Sequence, residues 1–290
     1  MNTFNNDFIQ YDKKKGKKET KNLAVYLTTT ITLYIFLLFF AIFFTWYTVF
    51  ISTHKYYKVV GPSMKSTLNA TIADTDIDKS IDAVYVNTMS KVRVFDMIVA
   101  ERGEDDVIKR VLAQEGDFIT IAKDVTKQTN NYYFYRIAAG KNPQEISDAD
   151  AMLDESTDEN GYKIRGYADW NNFRTPYSHA IEVGGATLTN SYETIFYNTF
   201  LKQFEGKDLA TYDNVYVSEN GLIYVQVPEG KYFCMGDNRG HSDDSRKNGF
   251  YDVEYIVGRV EFIVYDHNFG NRLWEVVKYY FGQVEEFFAR

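Results

Sequence analysis

The sequence predicts a mostly β protein. Its body is an antiparallel β core interrupted by an inserted α+β subdomain, flanked by one N-terminal transmembrane helix and one C-terminal amphipathic helix. Three observations lead there. The chain carries 24 Tyr and 22 Phe among its 290 residues, and both residue types favour strands. Short runs rich in Val, Ile, Tyr and Phe recur between turn residues, a strand-and-turn rhythm. One stretch, residues 23–51, runs for 29 residues without a charge.

That stretch comes first in the chain and sets its organisation. A bilayer core needs about 20 apolar residues in a helix, so "LAVYLTTTITLYIFLLFFAIFFTWYTVFI" is long enough to span even when tilted. Its threonines can bond to the backbone one turn earlier, which makes them tolerable in lipid. Trp46 and Tyr47 suit the far interface. The run is longer than the apolar part of a cleaved signal peptide, about 7–15 residues, and no small-x-small site follows it. An uncleaved single-pass anchor in the cell membrane is therefore expected. Lys13, Lys14, Lys15, Lys17, Lys18 and Lys21 precede the span, whereas Lys55 and Lys58 follow it closely. The excess of positive charge assigns residues 1–22, a disordered lysine-rich tail, to the cytoplasm and residues 52–290 to the outside.

Residues 56–60, 81–87, 91–100, 106–112 and 117–123 read as strands, broken by turns at Gly103 and Gly116-Asp117. Residues 213–217, 222–227, 230–235 and 256–265 resume the pattern, and Asn-Gly in "SENGL" (218–222) signals a hairpin. Between them the texture is polar and acidic. Residues 124–225 hold 15 Asp/Glu against 8 Lys/Arg. They read as a subdomain inserted into a core made of 52–123 and 226–270, with flanking strands that could be rejoined if it were removed. Within it, residues 190–205 read as a helix capped by Asn190 and Glu193 and ended by Gly206. Ile195, Phe196, Phe200 and Phe204 line one of its faces. The last segment, 271–290, places Leu273, Val277, Tyr280, Val284 and Phe287 on one side. It either packs on the core or lies on the membrane surface.

Composition excludes several functions. A formal charge of −8 argues against nucleic acid as a partner. Cys234 is the one cysteine, so no internal disulfide forms; the residue reads as a small buried hydrophobe. No metal-ligand spacing occurs, and neither a metal nor a cofactor is expected.

Three polar patterns remain inside the β body. "GPSMKSTL" (61–68) places Ser63 twelve residues after Ile51, at most about 40 Å along the chain. A serine hydroxyl is a poor nucleophile until a base takes its proton. A lysine can be that base if burial lowers its pKa. Lys109 in "DVIKRVLAQEGD" shares a strand face with Val107 and Val111, while Arg110 faces the other way with Ile108 and Leu112. An edge strand with a snorkelling lysine would read the same. "MGDNRGHSDDSRKNGF" (235–250) is either a solvated loop or a loop fixed in one shape by its opposed charges.

Together and in this order, these stretches resemble the conserved boxes of bacterial type I signal peptidases. "GPSMKSTL" resembles the serine box. "VFDMIVA" and "VIKRVLAQEGD" resemble the next two. "GKYFCMGDNRGHSDDSR" with "IVGRVEFIVY" resembles the last. The resemblance covers roughly 52–123 and 226–266. It implies a signal-peptidase-like catalytic core with Ser63 as nucleophile and Lys109 as general base. It also implies that Ser242 orients the lysine, and that the Ser63 N–H and a backbone amide at Gly61 form the oxyanion site. Asp237, Arg239, Asp244, Arg246 and Arg110 would form a scaffold of ion pairs. Met64 either lies beside the site or is plain core. The substrates implied are signal peptides of exported preproteins, cut after small residues at −3 and −1 and bound extended as an added strand. The lipid bilayer and the protein export machinery are the implied partners. The chain departs from the pattern at Ser66, where proline is usual, and in the size of the 124–225 insertion. His241 falls outside the matched positions and reads as an exposed loop residue. A self-cleaving regulator lacks support without a DNA-binding module. A catalytically inactive scaffold of the same fold would be expected to lack Ser63 or Lys109.

Overall fold

The computed structural model describes residues 3–65, 67–69, 79–103, 105–123, 132–151 and 195–288. The expectations for Ser66, Asn190, Glu193 and most of 124–194 lie outside these residues. The chain divides into two compact units, Met1–Thr53 and His54–Arg290.

The first unit is helix α1, Thr3–Thr53. The helix includes the lysine-rich segment, which had been expected to be disordered. Lys and Glu are good helix formers, so a helix nucleated in the apolar span can propagate back through them. Leu23–Thr53 is long and apolar enough to cross a membrane. Inside it, Thr28, Thr32, Thr45 and Thr48 donate their hydroxyls to carbonyls one turn earlier at 2.8–3.0 Å. Each polar side chain is thereby satisfied without water, as a lipid-exposed helix requires.

The second unit is built on two antiparallel sheets. Its strands are β1 (His54–Lys58), β2 (Ala83–Asn87), β3 (Met97–Arg102), β4 (Asp105–Gln114), β5 (Phe118–Lys123), β6 (Tyr132–Ile137), β7 (Val215–Val217), β8 (Ile223–Gln226), β9 (Lys231–Met235), β10 (Tyr251–Asp252) and β11 (Ile256–Val264). The larger sheet runs β1-β2-β11-β3-β4-β9-β10, the smaller β6-β5-β8-β7. Short helices α2 (Asp148–Ala151) and α3 (Ser245–Asn248) and a C-terminal helix α4 (Phe269–Phe288) accompany the sheets, together with several single helical turns. The described part of the expected 190–205 helix, residues 195–204, is helical, with a wide turn at Tyr197–Leu201 and a tight one at Lys202–Phe204.

Two expectations need correction. The run 91–100 is a strand only from Met97. Asp96 accepts from the Arg93 amide at 2.8 Å and folds 93–96 into a turn, with Phe95 held at φ 74°. The limits drawn at 123/124 and 225/226 cut through the smaller sheet, because β5 pairs with β6 along its whole length and with β8 at Phe118 and Ile119. The strand β6 was missed because it lies in the acidic region and its "YYFYRI" run buries both faces, leaving no alternation to read. Phe196, Phe200 and Phe204 also pack with Leu112, Ile119, Phe134 and Phe233 in one core cluster. Excising 124–225 would therefore remove three of the four strands of one sheet and the aromatic layer between the sheets.

The Asn-Gly signal corresponds to the β7–β8 hairpin, closed by Ser218 N–H to Leu222 O at 2.9 Å with Gly221 at φ 81°. Helix α4 buries Val276 and Tyr280, and Tyr279 stacks on Phe262 of β11. Leu273, placed in the buried stripe by the periodicity, is exposed. The buried face is rotated toward 276 and 280, since an aromatic pair with β11 anchors the helix there.

The larger sheet has apolar clusters on both faces. Met64 and Leu68 sit in one with Val84, Val86, Met97 and Val99. Val111 and Cys234 sit in another with Ile98, Ala100 and Val107. The segment after Ser63 is thus plugged into the sheet by two fully buried side chains.

Candidate active site

The site forms where β9 ends. Met235 is the last residue of β9 and pairs with Arg110 of β4. β4 continues beyond that point, paired to β3 on its other edge. The turn Gly236–Asn238 and the Gly61–Leu68 segment meet there.

Lys109 is 3% exposed, and its Nζ lies 3.1 Å from Ser63 Oγ and 3.1 Å from Ile108 O. Burial lowers the pKa of the lysine, and nearby Arg102 adds to the effect; Asp244, Cys234 and Asp243 oppose it. A neutral amine at this distance can take the proton of the serine hydroxyl.

Ser63 is held from behind. Asn238 N–H donates to Ser63 O at 2.9 Å, and Asn238 Nδ2 donates to Pro62 O at 2.9 Å. This residue was not singled out from the sequence; its position in "GDNR" beside two matched charges is the signal that could have found it. Gly61, before Pro62, adopts φ 87°, a conformation that favours glycine. Gly236 is glycine for lack of space: a Cβ would lie 2.2 Å from Ser242 Oγ and 2.5 Å from Ser63 O.

The expected scaffold charges are paired as follows. Arg110 grips Asp237 with two hydrogen bonds, Nε to Oδ1 at 2.8 Å and a terminal nitrogen to Oδ2 at 2.7 Å, and also donates to Phe95 O. Thr67 donates to the same carboxylate, and Arg239 stands 3.8 Å away. Asp237 N–H points at Met64 Sδ at 3.4 Å, so Met64 is both core and a neighbour of the site. Arg246 grips Asp244 in the same two-pronged way at 2.8 Å, and Asp244 accepts from Gly236 N–H at 3.0 Å. Burial opposes the charge on both carboxylates. The guanidinium partners overcome it and hold both carboxyls below their usual range. Each pair fixes one end of the 237–244 loop, the reading of this segment as a braced loop rather than a solvated one.

Ser242 is brought against Gly236, but its hydroxyl makes no hydrogen bond to Lys109, whose amine is directed at Ser63 and Ile108. His241 is exposed, with its amide bonded to Asn238 O at 3.0 Å. Among the described residues no cluster of His, Cys, Asp or Glu could hold a metal ion.

The second unit is an antiparallel β body that brings a buried lysine amine within hydrogen-bond distance of a serine hydroxyl. The family model described as "Signal peptidase, peptidase S26" matches residues 28–265, and the chain belongs to that family. It is 30% identical over 180 residues to a signal peptidase I of Aquifex aeolicus, covering 59% of this chain and 61% of that protein. It is 51% identical over 47 residues to a signal peptidase I of Rickettsia typhi, covering 16% and 17%. It is 60% identical over 37 residues to that of Haemophilus influenzae, covering 13% and 11%. The chain thus covers less than two thirds of the length of these relatives. A crystal structure of a signal peptidase I from Enterococcus faecalis V583 aligns with 59% of this chain and 97% of its own, at 18% identity and a TM-score of 0.25.

Proposed function

We propose that the protein is a membrane-anchored serine endopeptidase that removes N-terminal signal peptides from exported preproteins after small residues at −3 and −1. The approach of the buried Lys109 amine to Ser63 Oγ, at 3.1 Å, carries this reading. Ser63 Oγ attacks the scissile carbonyl as its proton passes to Lys109 Nζ. The Ser63 amide and a backbone amide at Gly61 are assigned to the developing oxyanion. Lys109 then returns the proton to the leaving amine. Water, activated by the same lysine, frees the acyl group. The substrate adds as an extended strand along the edge of β4 that β9 leaves uncovered. Leu23–Thr53 is the anchor, and the lysine excess before it keeps the N-terminus cytoplasmic and the β body outside. An enzyme tethered this way meets a membrane-held signal peptide in two dimensions.

The test is incubation of the full chain in detergent micelles with a peptide carrying Ala at −3 and −1, read by mass spectrometry. A single cut after −1, lost when −1 is Phe, is the expected result. An uncut Ala peptide from a folded protein would instead mark a non-catalytic scaffold.

Gly236→Ala is expected to lower kcat/KM for that peptide at least about a hundredfold with the fold retained. The added methyl must displace both the Ser242 side chain and Ser63 O, and a shift of about 1 Å at a reacting group costs that much. Near wild-type kcat/KM in this variant would show that the contact tolerates expansion.

A further inference from the structure

Helix α4 lies beyond residues 28–265, the part of the chain that matches the family. It crosses one face of the larger sheet. Tyr279 stacks on Phe262 of β11 with ring centroids 4.8 Å apart, and it meets the His54 ring of β1 edge-on at 5.9 Å. Arg272 donates to the Tyr85 hydroxyl of β2 at 2.7 Å and sits 4.1 Å from the centre of the Tyr56 ring of β1. Val276 and Tyr280 are buried beneath the helix. A second apolar stripe is left outside. Leu273, Trp274 and Phe281 are 53%, 60% and 50% exposed, and half-buried Val277 lies between them. At 3.6 residues per turn these four fall within about 100° of the helix circumference, an arc that holds no charged residue.

We propose that α4 is a second membrane contact of this protein: with its inner face held on the sheet, its outer stripe of Leu273, Trp274 and Phe281 lies in the boundary between lipid headgroups and acyl chains. The inference rests on the reading of Leu23–Thr53 as a bilayer anchor. The place of the stripe in the chain selects lipid over a protein partner. His54 follows Thr53 directly, so the edge strand that α4 packs against begins where the span ends, with no linker between them. Trp46 and Tyr47, the residues suited to the interface, precede His54 by about two helical turns, or ~11 Å. A helix with its side chains is ~10–12 Å thick, so α4 is thick enough to reach from β1 back to the interface. The composition agrees. An interfacial helix carries large apolar and aromatic side chains on its lipid side and cations at the rim. Trp274 supplies the amphipathic ring. Arg272 and Lys58, both exposed, supply the cations, Lys58 on the face of β1 that it shares with His54 and Tyr56. Two contacts hold the β body at one height above the lipid, where a single tether would let it swing.

The test uses the full chain in vesicles of phosphatidylcholine and phosphatidylglycerol, with Cys234→Ala removing the buried native thiol. An environment-sensitive fluorophore is attached in turn at Leu273→Cys, Phe281→Cys, Glu219→Cys and Leu37→Cys. Quenching by lipids that carry a nitroxide at the headgroup end or the tail end of the acyl chain reads depth. The labels at 273 and 281 are expected to lose at least about twofold in intensity to the headgroup-end nitroxide, as side chains seated ~5–10 Å into the boundary would. The label at 219, exposed on the β7–β8 hairpin, should keep its intensity, and the label at 37 should be quenched best by the tail-end nitroxide. Quenching at 273 and 281 no greater than at 219 overturns the proposal. So does a blue-shifted but unquenched label at 273, which means that a second copy or another protein covers the stripe. If the label at 37 escapes both nitroxides, the anchor reading fails and this inference goes with it. If 37 is quenched while 273 and 281 are not, this inference alone fails.

Discussion

Ser63→Ala and Lys109→Met each lower peptide cleavage on the order of ten-thousand-fold or more, and the double variant is no worse than either alone. Groups that act as one nucleophile–base unit show this non-additivity, because removing either leaves only binding and oxyanion contacts. Ser63 is a small polar group at the sheet edge, and its loss should not disturb the fold. Lys109→Met also makes a stability prediction. The folded lysine has a lowered pKa. Between that pKa and the free-lysine value of ~10.4, the unfolded chain binds the extra proton, so wild-type stability rises with pH through this window. Below the folded pKa the wild type carries the full cost of a buried ammonium. Lys109→Met, isosteric and uncharged, should therefore be more stable than wild type at neutral and lower pH, with the gap closing as pH rises. Denaturant unfolding of both proteins across pH measures it. Equal stability at low pH would mean that the amine is not buried as a cost, and retained cleavage in either variant would remove the Ser–Lys assignment.

Breaking the Arg110–Asp237 pair is expected to cost about 3–5 kcal/mol, since an uncompensated buried charge is left behind. The carboxylate side chain is fully buried and that of Arg110 is 15% exposed. The pair joins β4 to the turn that holds Ser63, so activity should fall with stability. Asp237→Asn leaves Arg110 unpaired, and Arg110→Met leaves Asp237 unpaired. The double variant Arg110→Met/Asp237→Leu, which leaves no charge, should be less destabilised than the sum of the singles. Strict additivity would show that the two groups do not interact. The sign with pH is the reverse of the lysine case. The folded Asp237 carboxyl is held below its ordinary range, so its contribution is present above the unfolded value of ~3.9 and is lost as pH falls through the folded pKa. Asp244, gripped by Arg246, titrates in the same direction.

Much of the site was legible as residue types. Ser63, Lys109 and the charged loop stood out because each is a polar interruption of apolar texture. The partners were not. Asp237 and Asp244 each have Arg110, Arg239 and Arg246 within chain reach, and only the β4–β9 register makes Asp237 the partner of Arg110. Asn238 and Arg102 gave no periodic signal, because what they bond is main-chain carbonyl, which every residue carries.

The sequence by itself determined the local terms. A charge-free run of 29 residues can only be satisfied as a helix in an apolar medium, and Asn-Gly between β-prone runs turns a hairpin. These follow from contacts within a few residues. Tertiary structure decided what depends on distant segments meeting. Ser63 and Lys109 are 46 positions apart, and Arg110 and Asp237 are 127 apart. The sheet that 124–225 helps to build joins β5 to β8 across most of a hundred residues of acidic chain. Strand order and register fix such meetings, because ladder hydrogen bonds and packed aromatic layers tolerate one pairing, and alternation along a single strand cannot name its neighbour.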